Sequence, residues 1–120
     1  MSVRCLIVDD NPRFSEEARS MLEESGVSVV EVAASGDDAV RLSEALSPDV
    51  VLVDINLGEE SGFDVARRLV DVSTARPPAI IFVSTHDERD FSDLIAASPA
   101  LGFIAKTKLS AERIRELLSH

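Results

Sequence analysis

Tryptophan and tyrosine are absent from this 120-residue chain, and phenylalanine occurs only five times. The core must therefore be aliphatic. Cysteine is nearly absent as well: Cys5 stands alone inside an apolar run. A disulfide within the chain is excluded, which fits a reducing cytoplasm, and Cys5 reads as a small buried hydrophobe. Positive charge is scarce, with 12 basic against 22 acidic residues and a net charge of −10. That balance disfavours direct binding to nucleic acid or to an anionic membrane surface. It suits a soluble protein that binds a metal cation. No apolar stretch approaches the ~20 residues of a membrane span. There is no signal-peptide pattern, internal repeat, low-complexity tract or domain boundary.

What is present is a mainly aliphatic apolar fraction of 45%, arranged as short runs between helix-period stretches. The length suits one domain, residues 1–120, with a single core. Strands are expected at Val3–Val8, Ser28–Val32, Val50–Val53, Ala79–Val83 and Phe103–Ala105. "VVLV" and "AIIFV" are continuously apolar, as in parallel strands covered on both faces. The first helix carries Phe14, Ala18, Met21 and Leu22 on one face, with Asn11 as cap, Pro12 in the first turn and Gly26 as the stop. The second and third helices open on "SGDD" and "SGFD", where Ser35 with Asp38 and Ser61 with Asp64 resemble capping boxes. Pro48 follows the second, and Pro77 and Pro78 follow the third. A short fourth helix carries Phe91, Leu94 and Ile95 and stops near Pro99. The fifth starts at Ser110, with Leu109 placed to staple onto Ile114 and with Ile114, Leu117 and Leu118 inward. Five β-α units imply an α/β domain with an open, doubly wound parallel sheet, because five cannot close a barrel.

In such sheets, functional groups gather beyond the carboxyl ends of the strands. Here those ends read Asp9 and Asp10, then Ala33 and Ala34, then Asp54, then Ser84 and Thr85, then Lys106. Singly each has an ordinary explanation as a turn residue, strand terminator, helix cap or solvated lysine. Together they are harder to dismiss. Three carboxylates in one partly desolvated crevice repel, and a cation must offset them, either Mg²⁺ or the Lys106 ammonium. Carboxylate, hydroxyl, ammonium and metal together suit phosphoryl transfer, with a carboxylate as nucleophile.

The ordered set "LIVDDNP", "VVLVDINLGEESGFDVARRL", "IIFVST" and "GFIAKTKLS" resembles a response-regulator receiver domain of two-component signalling, over essentially the whole chain. The resemblance implies a flavodoxin-like (βα)5 fold with strand order 2-1-3-4-5. It implies that Asp54 accepts a phosphoryl group from a partner histidine kinase. Asp9 and Asp10 match the pair that holds Mg²⁺, Asp10 directly and Asp9 often through water, with the backbone carbonyl of Asn56 as a further ligand. Ser84 and Lys106 match the groups that contact the phosphoryl group, and Phe103 matches the aromatic switch. Asn56 and His86 occupy positions that tune phosphate lifetime. The chain would then be a self-phosphorylating and autodephosphorylating switch with no multiple-turnover substrate. It would remodel a surface formed by the fourth helix, fifth strand and fifth helix to control an output domain or downstream protein, such as a transcriptional one. Phosphorylation could also drive homodimerisation. The domain would be stand-alone or the N-terminal receiver of a longer regulator.

The chain departs from the family pattern in three places. Thr107 follows Lys106 where proline is common, so a trans peptide is expected. Phe103 has no hydroxyl to report its state. "NLGEESG" replaces a frequent Met-Pro pattern, although Gly58 still permits a left-handed turn. Two enzyme-like or carrier readings fit poorly. A phosphatase of the haloacid dehalogenase type would carry its nucleophile on the first strand and the acidic pair later. An FMN carrier would need a phosphate loop and ring-stacking aromatics, where this chain has "DDNPRF". A receiver-like module that binds partners without phosphorylation is the alternative.

Overall fold

Runs that are apolar at every position can be buried only if both faces of a strand are covered, and this governs the fold. A computed structural model describes residues 3–72 and 77–119. The long elements alternate: β1 (Arg4–Val8), α1 (Pro12–Glu24), β2 (Ser28–Ala33), α2 (Gly36–Leu46), β3 (Val50–Asp54), α3 (Gly62–Asp71), β4 (Ala79–Ser84), α4 (Ser92–Ala96), β5 (Gly102–Ala105) and α5 (Ala111–Leu118). The five strands pair in parallel in the order β2-β1-β3-β4-β5. Each expected strand is found within one residue at either end.

Period-two alternation splits the core into two layers. Cys5, Ile7, Val50, Leu52, Ile81, Val83 and Ile104 meet Ala18 and Leu22 of α1 and Ile114 of α5. Leu6, Val8, Val51, Val53, Ile80, Phe82 and Phe103 meet Ala39 of α2 and Val65, Ala66 and Leu69 of α3. Leu109 and Ile114 join the first layer together, as a staple across the start of α5 requires.

Helix ends follow local chemistry. The Asn11 side chain accepts from the backbone N–H groups of Arg13 and Phe14. At the other end of α1, Gly26 has φ +90°. Its N–H donates to Glu23 and that of Val27 to Leu22, which satisfies the last carbonyls through a left-handed residue. The capping boxes are only half formed: Ser35 accepts from the Asp38 N–H and Ser61 from the Phe63 N–H, while the Asp38 carboxylate faces Arg41 instead. The α3 helix stops at Asp71, several residues before Pro77.

One small element was not expected, and the short fourth helix, which was, carries one outward leucine. A two-residue antiparallel ladder, Asn56–Leu57 with Glu60–Ser61, lies between β3 and α3 and turns at Gly58, whose φ is +61°. The fourth helix is a single short turn behind a 3₁₀ segment at Glu88–Asp90, and Leu94 points outward with 55% exposure, while Phe91 and Ile95 pack on the core. Among the described residues no helix is long and apolar enough to cross a membrane, and no peptide bond is cis, so Lys106–Thr107 is trans.

Candidate functional site

The alternation that sorts the core also aims the site. On β1 the row Cys5, Ile7 leads to Asp9, and on β3 the row Val50, Leu52 leads to Asp54, so both carboxylates continue on the α1/α5 side. On β5 the same row, through Ile104, leads to Lys106. Ser84 ends the opposite row, with Phe82 and Phe103, on the α2/α3 side.

Asp9 and Asp54 are buried, at 1% and 6% exposure, while Asp10 is exposed. Carboxylate oxygens of Asp9, Asp10 and Asp54 all lie within 4.8 Å of one another. Lys106 Nζ sits 2.7 Å from Asp9 Oδ2 and 3.0 Å from Asp54 Oδ2. The Asp54 contact is a hydrogen bond. The Asp9 contact is the shorter of the two and pairs the ammonium with a fully buried carboxylate. The other oxygens are tied locally: Asp9 Oδ1 accepts from the Asn11 N–H and Asp54 Oδ1 from the Asn56 N–H. Ser84 Oγ, also buried, accepts from the His86 N–H.

These surroundings set the electrostatics. Burial pushes the Asp54 carboxyl above its ordinary value; the hydrogen bonds from Lys106 and Asn56 oppose this, and the negative charge of Asp9 adds to it. Burial works against the Lys106 ammonium, but its contacts with Asp9 and Asp54 outweigh that, and its pKa is raised. Lys106 is therefore a fixed positive charge between two carboxylates. Three carboxylates with oxygens within 4.8 Å of one another form an all-oxygen donor set, and it fits a hard divalent cation such as Mg²⁺.

The residues singled out in the sequence fall into two groups. Asp9, Asp10, Asp54 and Lys106 meet in one cluster. Asn56 touches it through its backbone N–H. Ser84 lies on the neighbouring strand end, and Phe103 is already 93% buried (7% exposed) in the α2/α3 layer. His86 is exposed, its ring meeting Phe91 edge-on at 6.0 Å. A surface groove lined by Thr85, His86, Phe103, Thr107 and Arg113 runs beside them.

Sequence reasoning missed three participants. Phe14 reads as core from its helical spacing, yet its ring lies 4.3 Å from Lys106 Nζ. Its place in the first turn after the acidic pair was the available signal. Gly62 packs so closely under β3 that a Cβ there would collide with the Asp54 carbonyl oxygen. Glu60, in the loop after Asp54, accepts the first N–H of α2, from Gly36, at 2.9 Å.

Comparisons with known proteins agree with this geometry. The family model described as the response regulator receiver domain matches residues 5–119. The positive alginate biosynthesis regulatory protein of Pseudomonas aeruginosa is 40% identical over 103 residues, covering 84% of this chain and 40% of that protein. Protein PilH of the same organism is 40% identical over 88 residues, 72% of each. A protein-glutamate methylesterase/protein-glutamine glutaminase of Alkalilimnicola ehrlichii is 38% identical over 109 residues, but these are only 27% of it. Among solved structures, the receiver domain of the putative response regulator NarL from Mycobacterium tuberculosis superposes with a TM-score of 0.83 at 29% identity, covering 98% of this chain and 94% of that one. The chain thus spans well under half of some relatives and most of others, and it belongs to the response-regulator receiver family of two-component signalling.

Proposed function

We propose that this domain is a phosphorylation switch in which Asp54 accepts a phosphoryl group from the phosphohistidine of a partner kinase. The observation that carries the reading is the buried Asp54 carboxylate held at 3.0 Å by Lys106 beside two further aspartates. An Asp54 carboxylate oxygen attacks phosphorus in line; a P–O bond forms, the P–N bond to histidine breaks, and the imidazole leaves. Asp9, Asp10, Asp54 and the Asn56 carbonyl would hold Mg²⁺, which when bound neutralises charge on the phosphoryl oxygens. Lys106 supplies a fixed positive charge for the same oxygens. Asn56 donates to Asp54 Oδ1 and Lys106 to Oδ2, and together they orient the carboxylate.

The product carries more negative charge than the carboxylate it replaces, and it recruits donors. The Ser84 hydroxyl now accepts from the His86 N–H, which leaves its proton free to turn toward a phosphoryl oxygen. Movement of Ser84 shifts the loop after β4, and Phe103, the neighbour of Phe82 across the sheet, follows. The α4-β5-α5 surface then changes for an output domain, a downstream protein or a second copy. The short α4 and the exposed Leu94 support this, because a weakly packed element is cheaply displaced. The stretch shared with the methylesterase relative is only 27% of that protein, so its named activity is not carried over to this chain.

Incubation with a small phosphodonor and Mg²⁺, read by intact mass, tests the assignment. Wild type should gain one phosphoryl group and Asp54→Asn none. Equal labelling of both would remove Asp54 from its role. A wild type that stays unlabelled by donor and by kinases alike would favour the phosphorylation-independent module.

A further inference from the structure

Lys106 opens a one-turn 3₁₀ segment, Lys106–Lys108, that has no side-chain cap. Its four-carbon stem is flexible, and its ammonium is held by Asp9 at 2.7 Å and Asp54 at 3.0 Å. A third contact closes the arrangement. The Phe14 ring, carried by the first turn of α1, presents itself to Lys106 Nζ at 4.3 Å from the centroid, well inside cation–π range. The Lys106 side chain is only 10% exposed, so the attraction acts in a largely desolvated setting. Phe14 is itself half-buried and packed on the α1/α5 layer, which fixes the ring.

We propose that Phe14 is a positioning residue for Lys106: its ring holds the ammonium over Asp9 and Asp54 and keeps it there while the group on Asp54 changes. A hydrogen bond is directional and would have to break as Lys106 follows the new phosphoryl oxygens. A ring face is broad, so the ammonium can slide across it and stay bound. The role in phosphorylation rests on Asp54 being the acceptor; the ring-to-lysine contact does not.

The test has two arms, each using the whole chain. In the first, NMR chemical shifts of the Lys106 ε-methylene protons are compared in wild type, Phe14→Leu and Phe14→Tyr. Wild type and Phe14→Tyr should show an upfield ring-current shift that Phe14→Leu loses. In the second, labelling by phosphoramidate with Mg²⁺ is timed by intact mass. Phe14→Leu should be slowed about three- to tenfold, and Phe14→Tyr should stay within about twofold of wild type. In a Lys106→Gln background, Phe14→Leu should cause no further slowing. Absence of the ring-current shift in wild type overturns the proposal, as does equal slowing by Phe14→Leu with and without Lys106. A wild type that shows the shift but takes up no phosphoryl group from phosphoramidate or from kinases overturns the Asp54 reading and, with it, the catalytic part of the proposal, and leaves the ring-to-lysine contact established.

Discussion

At the scale of single residues, burial decides what each titratable group does. Asp54 illustrates the sign. Its pKa is raised in the folded state, chiefly by desolvation, from an ordinary value of 3.8. The folded protein thus holds the proton more tightly than the unfolded chain. This contribution to stability is complete below the unfolded pKa and is lost as pH rises through the folded one. At neutral pH the ionised carboxylate weakens the fold. Asp54→Asn is expected to melt higher than wild type at neutral pH, and thermal scans should show the gap narrowing as pH falls toward the ordinary carboxylate range. A gap that widens on acidification would contradict the burial argument. Cys5 shows the same physics without function: burial pushes its thiol up to about 12. Native protein should resist thiol reagents at neutral pH and react only on unfolding, which a disulfide-exchange dye in the presence and absence of denaturant will show.

At the scale of elements, the long strands were legible in the sequence because burial on both faces writes itself as uninterrupted aliphatic runs. The Val50–Asp54 strand is buried at every position, and "VVLVD" says so directly. Helix starts were legible through Asn11, Ser35, Ser61 and Ser110, each of which accepts backbone N–H groups. The Asn56–Ser61 ladder was not, since two-residue strands have no periodicity to read. Nor was the bond from Gly36 to Glu60, which spans 24 residues and depends on two loops meeting. The convergence of Asp9, Asp10, Asp54 and Lys106 was readable because parallel strands all end on one edge; the Phe14 contact was hidden because an aromatic at helical spacing looks like core. Gly62 belongs to this scale too. Its N–H donates to the Ile55 carbonyl at 2.8 Å, and it lets the first turn of α3 lie directly against the backbone that carries Asp54. Gly62→Ala must push that backbone or the helix aside. The expected cost is ~1–3 kcal/mol, as for other overpacked sites, measured by urea unfolding. Labelling of Asp54 should fall with it, since the shift passes straight to the backbone of Asp54. An alanine variant of unchanged stability would mean that α3 can move away freely.

At the scale of the whole molecule, a net charge of −10 is unfavourable for a compact chain, and part of that charge is concentrated at one sheet edge. The exposed ion pairs, such as Arg13 with Glu17 or Arg113 with Glu116, are solvated and offset little of it. Lys106 neutralises one charge of the three aspartates, and a bound divalent cation would neutralise the rest. Such binding is available only to the folded chain, because Asp9 or Asp10 and Asp54 are ~45 residues apart and meet only through the sheet. Mg²⁺ should therefore raise the melting temperature, by an amount that grows with its concentration and reaches about 2.7 kcal/mol of added stability at a hundredfold excess over Kd. General screening also relieves repulsion, so the comparison must be made against NaCl at equal ionic strength. The specific part of the shift should vanish in Asp10→Ala, whose carboxylate faces solvent and makes no hydrogen bond or ion pair among the described residues, so that its loss disturbs the fold least. Asp10→Ala should also weaken Mg²⁺-dependent labelling of Asp54 at least as much as Asp9→Ala. If Mg²⁺ and matched NaCl stabilise wild type equally, the acidic cluster is neutralised by Lys106 alone and the metal site falls.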